Sequence, residues 1–256
     1  MARDYRRSDY DDYLKDDNLH INWYPGHMKK TKELVQNNLK LVDVVIELLD
    51  ARIPYSSKNP QIDQIVGNKP RVVVLNKSDL ANPANLSKWV NYYAKKGIKA
   101  IPVSTTKGNG VNKIIEECKN VTREIMEKIK EKGRTERAIR VMIVGVPNVG
   151  KSTLINKLTG RKSTQTGDKP GVTKSKQWVR LKGNLELLDT PGILWPKFED
   201  QEVALNLAFS RAIKDEILDI DTLGLKFIEK LMEIEPEKLM ARYKLENLGE
   251  TPLETM

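Results

Sequence analysis

The sequence is poor in the residues that build cross-links and soft metal centres: 256 residues hold one cysteine, Cys118, and two histidines. A lone cysteine excludes an internal disulfide and a cysteine metal cluster, which suits a reducing compartment. No apolar run approaches membrane-spanning length; residues 42–49 (VDVVIELL) are interrupted by Asp43 and Glu47. The first twenty residues carry four basic and six acidic side chains and no apolar run. Neither a secretory signal nor an Arg-rich, acid-poor presequence is expected there, only a polar tail. No internal repeat or low-complexity segment is visible.

What is present is basic and globular. Lysine plus arginine number 44 against 35 acidic residues, a formal charge of +9, which points to a polyanionic partner or an acidic surface. The 39% hydrophobic content is modest but concentrated in dense blocks, so a core is expected rather than disorder or coiled coil. Residues 42–49, 71–75 (RVVVL) and 100–103 read as strands by length and β-branched content. A helix from Val111 through Ile114, Ile115 and Cys118 follows, then a charged linker broken at Gly133. Residues 139–144, 178–181 and 185–188 read as further strands, with a helix over 152–158. Beyond Pro196 the apolar spacing suggests short helices only. Strands alternating with helices predict an α/β fold, a mostly parallel sheet with helices on both faces, plus a small all-helical C-terminal domain. The expected boundaries are a polar tail over 1–20, the α/β domain over 21–196 and the helical domain over 197–256.

Residues 145–152 read GVPNVGKS and match G-x-x-x-x-G-K-[ST], with a strand before and a helix after. Consecutive backbone N–H groups and a helix N-terminus there converge on phosphate oxygens. Pro147, Asn148, Val149, Gly150, Lys151, Ser152 and Thr153 are therefore candidate phosphate-binding residues. Lys151 would reach the terminal phosphates and Ser152 would ligate magnesium. Phosphoryl transfer also needs a carboxylate that orients magnesium at the end of a second strand. Asp189 is placed for this, opening Asp189-Thr190-Pro191-Gly192, and Gly192 joins the nucleotide-binding set. Thr173, in KPGVTKS, has a hydroxyl that could complete the magnesium shell. Alone, DTPG is also a turn and Thr173 an ordinary loop residue.

Residues 76–79 read NKSD directly after a strand. Asp79 can accept from guanine N1–H and the exocyclic amine, Asn76 can bond N7 and tie the loop to the phosphate turn, and the Lys77 stem can cover the ring. Adenine would leave Asp79 unpaired, a mismatch worth on the order of 10⁴ to 10⁵ in discrimination. A backbone N–H of the loop Ser104-Thr105-Thr106 would meet guanine O6. In isolation NKSD is also a polar turn.

Together these motifs resemble the translation-factor branch of P-loop GTPases, in an unusual order: NKSD and the serine loop precede the phosphate loop, Thr173 and DTPG. The chain thus resembles circularly permuted GTPases. Within them, Trp23-Tyr24-Pro25-Gly26-His27-Met28 and Asp50-Ala51-Arg52-Ile53-Pro54 are similar to the ribosome biogenesis GTPase A family over roughly residues 21–250. That resemblance implies GTP hydrolysis to GDP with Mg²⁺, a large-subunit ribosomal precursor (rRNA and proteins) as partner, and a cytoplasmic monomer binding neither DNA nor membrane. Family members continue for several tens of residues past the match to Glu250-Thr251-Pro252, which implies a shortened helical domain.

Many GTPases place a water-orienting glutamine after DxxG; here it is Ile193, so intrinsic hydrolysis should be slow. The resemblance makes His27 the substitute, giving His27, Lys151 and Thr173 as the catalytic set; the alternative is a turn-anchoring His27. It also implies a potassium ion at Asn148, against a plain loop-stabilising asparagine. Residues 161–182 hold seven Lys or Arg and one acidic residue, and include Trp178. They are either an RNA-contacting strip or a solvated loop. The expected function is a GTPase that times large-subunit assembly, bound to rRNA with GTP and released after hydrolysis. The alternatives are a permuted GTPase acting on the small subunit or another RNA, and a nucleotide-gated RNA-binding module.

Overall fold

The computed structural model describes residues 35–133, 137–160, 178–188, 200–213 and 220–255. They fall within two compact units, Tyr24–Pro196 and Lys197–Met256. The first is built on six strands: β1 (Val44–Asp50), β2 (Arg71–Asn76), β3 (Lys99–Val103), β4 (Ile139–Gly145), β5 (Trp178–Leu181) and β6 (Leu185–Leu188). Their order is β3-β2-β1-β4-β6-β5, with β5 antiparallel to β6 and every other pairing parallel. Near-continuous apolar sequence explains this, since a parallel sheet is covered on both faces. All seven residues of β1 are buried, Glu47 and Asp50 among them.

Short helix α1 (Ile62–Val66) and residues 35–39 bury Val35, Leu39, Ile62 and Val66 against Val45, Met142, Val144 and Leu188. Helix α2 (Pro83–Lys95) brings Leu86, Trp89, Val90 and Tyr93 to Leu49, Val73 and Leu75. The Asn82 side chain caps it, accepting from the amides of Ala84 at 3.0 Å and Asn85 at 3.3 Å, and Pro83 takes the first turn. Helix α3 (Val111–Glu131) buries Val111, Ile114, Cys118 and Thr122, and burial pushes the Cys118 thiol up to about 12, so it is an inert core residue. Helix α4 (Lys151–Thr159) follows β4 through the phosphate-type loop.

The strand order reverses direction at β1 and β4: from β1 the chain winds to one edge through β2 and β3, and from β4 to the other. Ligands of open α/β sheets bind at the carboxyl ends of strands beside such a reversal. The second unit contains α5 (Gln201–Phe209), α6 (Ile220–Ile234), α7 (Pro236–Tyr243) and α8 (Pro252–Thr255). Asp200 caps α5, and the Phe209 and Phe227 rings lie 5.0 Å apart. Among the described residues no helix is long and apolar enough to cross a membrane, and no cluster of three metal-ligating side chains occurs.

Candidate guanine-nucleotide site

At the carboxyl ends of β1, β2 and β4 three chain segments are cross-linked by hydrogen bonds. Asn76, 1% exposed, is the central tie. Its Nδ2 donates to the Val149 carbonyl at 2.7 Å, and its Oδ1 accepts from the Thr105 amide at 3.2 Å. One buried carboxamide therefore joins the NKSD segment, the serine loop and the phosphate loop across sequence separations of 73 and 29 residues. A buried amide with both ends satisfied fixes geometry, because moving either loop would strand a polar group at a cost of about 1–3 kcal/mol.

The loop's two glycines answer to this packing as well as to phosphate. An ideal Cβ on Gly145 would lie 2.5 Å from the Leu48 carbonyl of β1. On Gly150, at φ +102°, it would lie 2.4 Å from Asn76 Nδ2. Asn148 is also left-handed, at φ 55°. Gly150→Ala must therefore push Asn76 off the Val149 carbonyl while occupying a strained backbone. The expected cost is roughly 2–5 kcal/mol of stability and a large loss of GDP affinity, read by thermal melting and calorimetry. Native-like values for both would mean the loop does not depend on that tie.

Gly150, without a side-chain cap, leads directly into Lys151 at the first position of α4. The first-turn amides of such a helix lack intrahelical acceptors and suit an anion. Lys77, itself left-handed at φ 60°, sends Nζ to the Asn148 carbonyl at 3.0 Å and to Asp50 Oδ2 at 3.0 Å. Its stem thus spans from the base-recognition segment to the phosphate loop. Asp79 sits on the 3₁₀ turn Ser78–Leu80, with Lys107 Nζ 3.4 Å from its carboxylate. The Ser104 hydroxyl, more than Lys107, holds the Asp79 carboxyl below the usual carboxylate range, so it remains an acceptor.

Two details add to the sequence reading. The amides of Ser104 and Thr105 are engaged within the protein, with the Asn109 carbonyl at 3.1 Å and Asn76 Oδ1, so neither is aimed at a base oxygen. Their place here is to support Asp79 and Asn76. Trp178 is half-buried beneath the Arg140 guanidinium, 4.9 Å from the ring centroid, and packs on the core. Its indole therefore has a packing role at the core. His27, Thr173, Asp189, Gly192 and most of the basic strip lie outside the described residues.

Asp50 is the residue whose role the motifs did not disclose. It ends β1 buried, accepts a two-point contact from Arg52 (Nε at 2.9 Å, a terminal nitrogen at 2.7 Å), and also holds Lys77. Burial alone would raise its pKa, but Arg52 and Lys77 together hold it below the carboxylate range. The available signal was a carboxylate closing an apolar strand, with an arginine two residues on, the position logic that had marked Asp189.

Against known proteins, residues 140–247 match the family described as "50S ribosome-binding GTPase". The Ribosome biogenesis GTPase A of Bacillus cereus is 51% identical over 237 residues, covering 91% of this chain and 79% of that protein. That of Thermotoga maritima is 37% identical over 187 residues, covering 73% of this chain and 64% of that protein. The solved structure of GNP-bound YlqF from T. maritima superposes with a TM-score of 0.59 at 27% identity, covering 87% of each chain. Identity of this extent spans the permuted motif order and the helical segment alike, so the tied loops are those of a guanine-nucleotide enzyme: the chain belongs to the ribosome biogenesis GTPase A family and hydrolyses GTP.

Proposed function

We propose that the chain is an assembly factor for the large ribosomal subunit, binding rRNA of a 50S precursor with GTP and leaving after hydrolysis. The observation that carries this is the chain's 51% identity, over nine-tenths of its length, to a protein named for ribosome biogenesis, together with a family described as 50S-binding. The +9 charge favours an RNA-rich partner. The proposed division is a tail over 1–20, the GTPase domain over 21–196 and a helical domain over 197–256, acting as a monomer in the cytoplasm.

The amides of Asn148 to Thr153 and the Lys151 ammonium hold the β- and γ-phosphates, Asn76 and Asp79 read the base, and Lys77 covers it. Ser152, Thr173 and Asp189 are the residues proposed to hold magnesium; two hydroxyls and a carboxylate are the hard oxygen donors that ion takes, and Ser152 stands in the first turn of α4 beside the phosphate loop. Magnesium, when bound, neutralises charge on the phosphates. Asn148 is proposed to ligate potassium, which faster hydrolysis in potassium than in sodium buffer would support and equal rates would refute. Ile193 cannot orient water, so that task is assigned to His27. His27→Ala should lower particle-stimulated turnover by roughly 10²-fold with GDP affinity unchanged, in the range of a lost general base; an unchanged stimulated rate removes it from the mechanism.

Co-sedimentation tests the function. The chain should pellet with large-subunit precursors in a non-hydrolysable GTP analogue and stay in the supernatant with GDP. Pelleting with small subunits, or equally in both nucleotides, contradicts the proposal.

A further inference from the structure

Away from the phosphate loop, α2 and the segment after β1 enclose an open groove of about 370 Å³. Arg52, Asn82, Asn85, Lys88, Trp89 and Tyr92 line it. That volume lies in the range of small-ligand sites, roughly 300–1,000 Å³. The two rings are held in fixed, perpendicular planes, with centroids 5.3 Å apart at 79°. Trp89 is anchored against the core beside Tyr93, while Tyr92 is 43% exposed and carries Lys96 Nζ 4.4 Å from its ring centroid. Tyr92 is thus accessible to a ligand, and the cation over its ring already marks it as an electron-rich surface.

The charge around the groove is one-sided. From Leu80 to Ile115 the chain has six lysines and no acidic residue. Of these, Lys88, Lys95 and Lys96 belong to α2 or its end, and the Asp50 carboxylate that contacts the lining residue Arg52 is consumed by Arg52 and Lys77. A rigid aromatic plane, side-chain amides and a cationic rim form the set that takes an unpaired nucleotide: the ring stacks on the base, the amides meet its edge and the lysines meet phosphate. An apolar peptide would leave the cations unused, and a duplex would leave the rings uncovered.

We propose that this groove binds an unpaired, flipped-out nucleotide of single-stranded RNA, with Tyr92 as the stacking platform and Lys88 as the phosphate contact. The inference rests on the reading of the chain as an RNA-associated assembly factor and names one place where the RNA is held. It is distinct from the GTP site, which uses none of these four α2 side chains. Arg52 links the two regions, since the carboxylate that holds it also holds Lys77.

The test uses the full chain with a GTP analogue, a fluorescent oligouridine and the same strand paired to its complement. The native chain should bind the single strand more tightly than the duplex. Tyr92→Ala and Lys88→Glu should each weaken single-strand binding by about 10-fold or more, the loss typical of one base stack, with melting temperature and GDP affinity unchanged. Tyr92→Phe should restore native affinity, because stacking needs the ring and not the hydroxyl. Unchanged oligouridine affinity in both disruptive variants overturns the proposal. Weakened binding to precursor particles with oligouridine affinity unchanged assigns the groove to a protein segment and also overturns it. A native chain that binds oligouridine in this groove but no ribosomal particle leaves this inference standing and refutes the assembly-factor reading.

Discussion

Asp79→Asn is expected to move the enzyme's preference from guanine to xanthine nucleotides, changing the GDP-to-XDP affinity ratio by on the order of 10⁴. The wild-type carboxylate is kept ionised by the Ser104 hydroxyl and Lys107, so it offers the two acceptors that the proposed pairing with guanine N1–H and the 2-amine needs. An asparagine keeps one acceptor and turns the other into a donor. Guanine's 2-amine then faces an N–H, whereas the 2-oxo group of xanthine faces a partner. Buried polar groups left unmatched cost more than lost contacts, which is why the change is a switch rather than a weakening. Competition calorimetry with GDP and XDP reads it directly, and an unaltered ratio would remove Asp79 from the base site.

The second large effect concerns a residue outside the chemistry. Glu47 sits in the middle of β1, opposite Val73 of β2 and Val144 of β4, and neither carboxylate oxygen has a hydrogen-bond partner. Arg71 comes within 3.3 Å but directs the same nitrogen to Asp63 at 2.7 Å, leaving Glu47 with charge attraction and no bond. Burial outweighs that attraction and pushes the Glu47 carboxyl up from 4.5 to about 7, with Arg71 and Lys58 opposing and Asp63 assisting. A folded-state pKa above the unfolded one means the native state binds this proton more tightly. The stability it contributes is complete below about 4.5 and is lost as the pH rises through about 7. At pH 8 the loss is on the order of 3 kcal/mol. Glu47→Gln removes the charge and nearly keeps the shape, so its melting temperature should exceed the native one at pH 8 and match it near pH 5. A lower melting temperature at pH 8 would show that Arg71 stabilises the ionised pair after all.

The sheet was legible because burial on both faces leaves strands that are apolar without alternation, as in VVIELL and RVVVL. The phosphate loop was legible because its glycines are required locally. The Asn82 cap, Pro83 and the 86/89/90/93 spacing also announced α2, yet its polar content and single buried residue, Tyr93, kept it out of the sequence reading. What no local pattern could give is the pairing of Asn76 with Val149, which exists only because β2, β1 and β4 lie side by side in the middle of the sheet. The same holds for Asp50, whose meaning comes from Lys77 arriving over it from the neighbouring strand. Ser104 and Thr105 lie beside Asn76 as the motif order suggests, but only the fold reveals that their amides are already spent.

A crystal structure of the chain with a non-hydrolysable GTP analogue tests the central claim most directly. A single nucleotide should span the sheet edge, its guanine edge on the Asp79 carboxylate and its terminal phosphates on Lys151 and the amides around Gly150, with the Asn76 bond to Val149 intact. A nucleotide that meets Lys151 while its base lies away from Asp79 would contradict it.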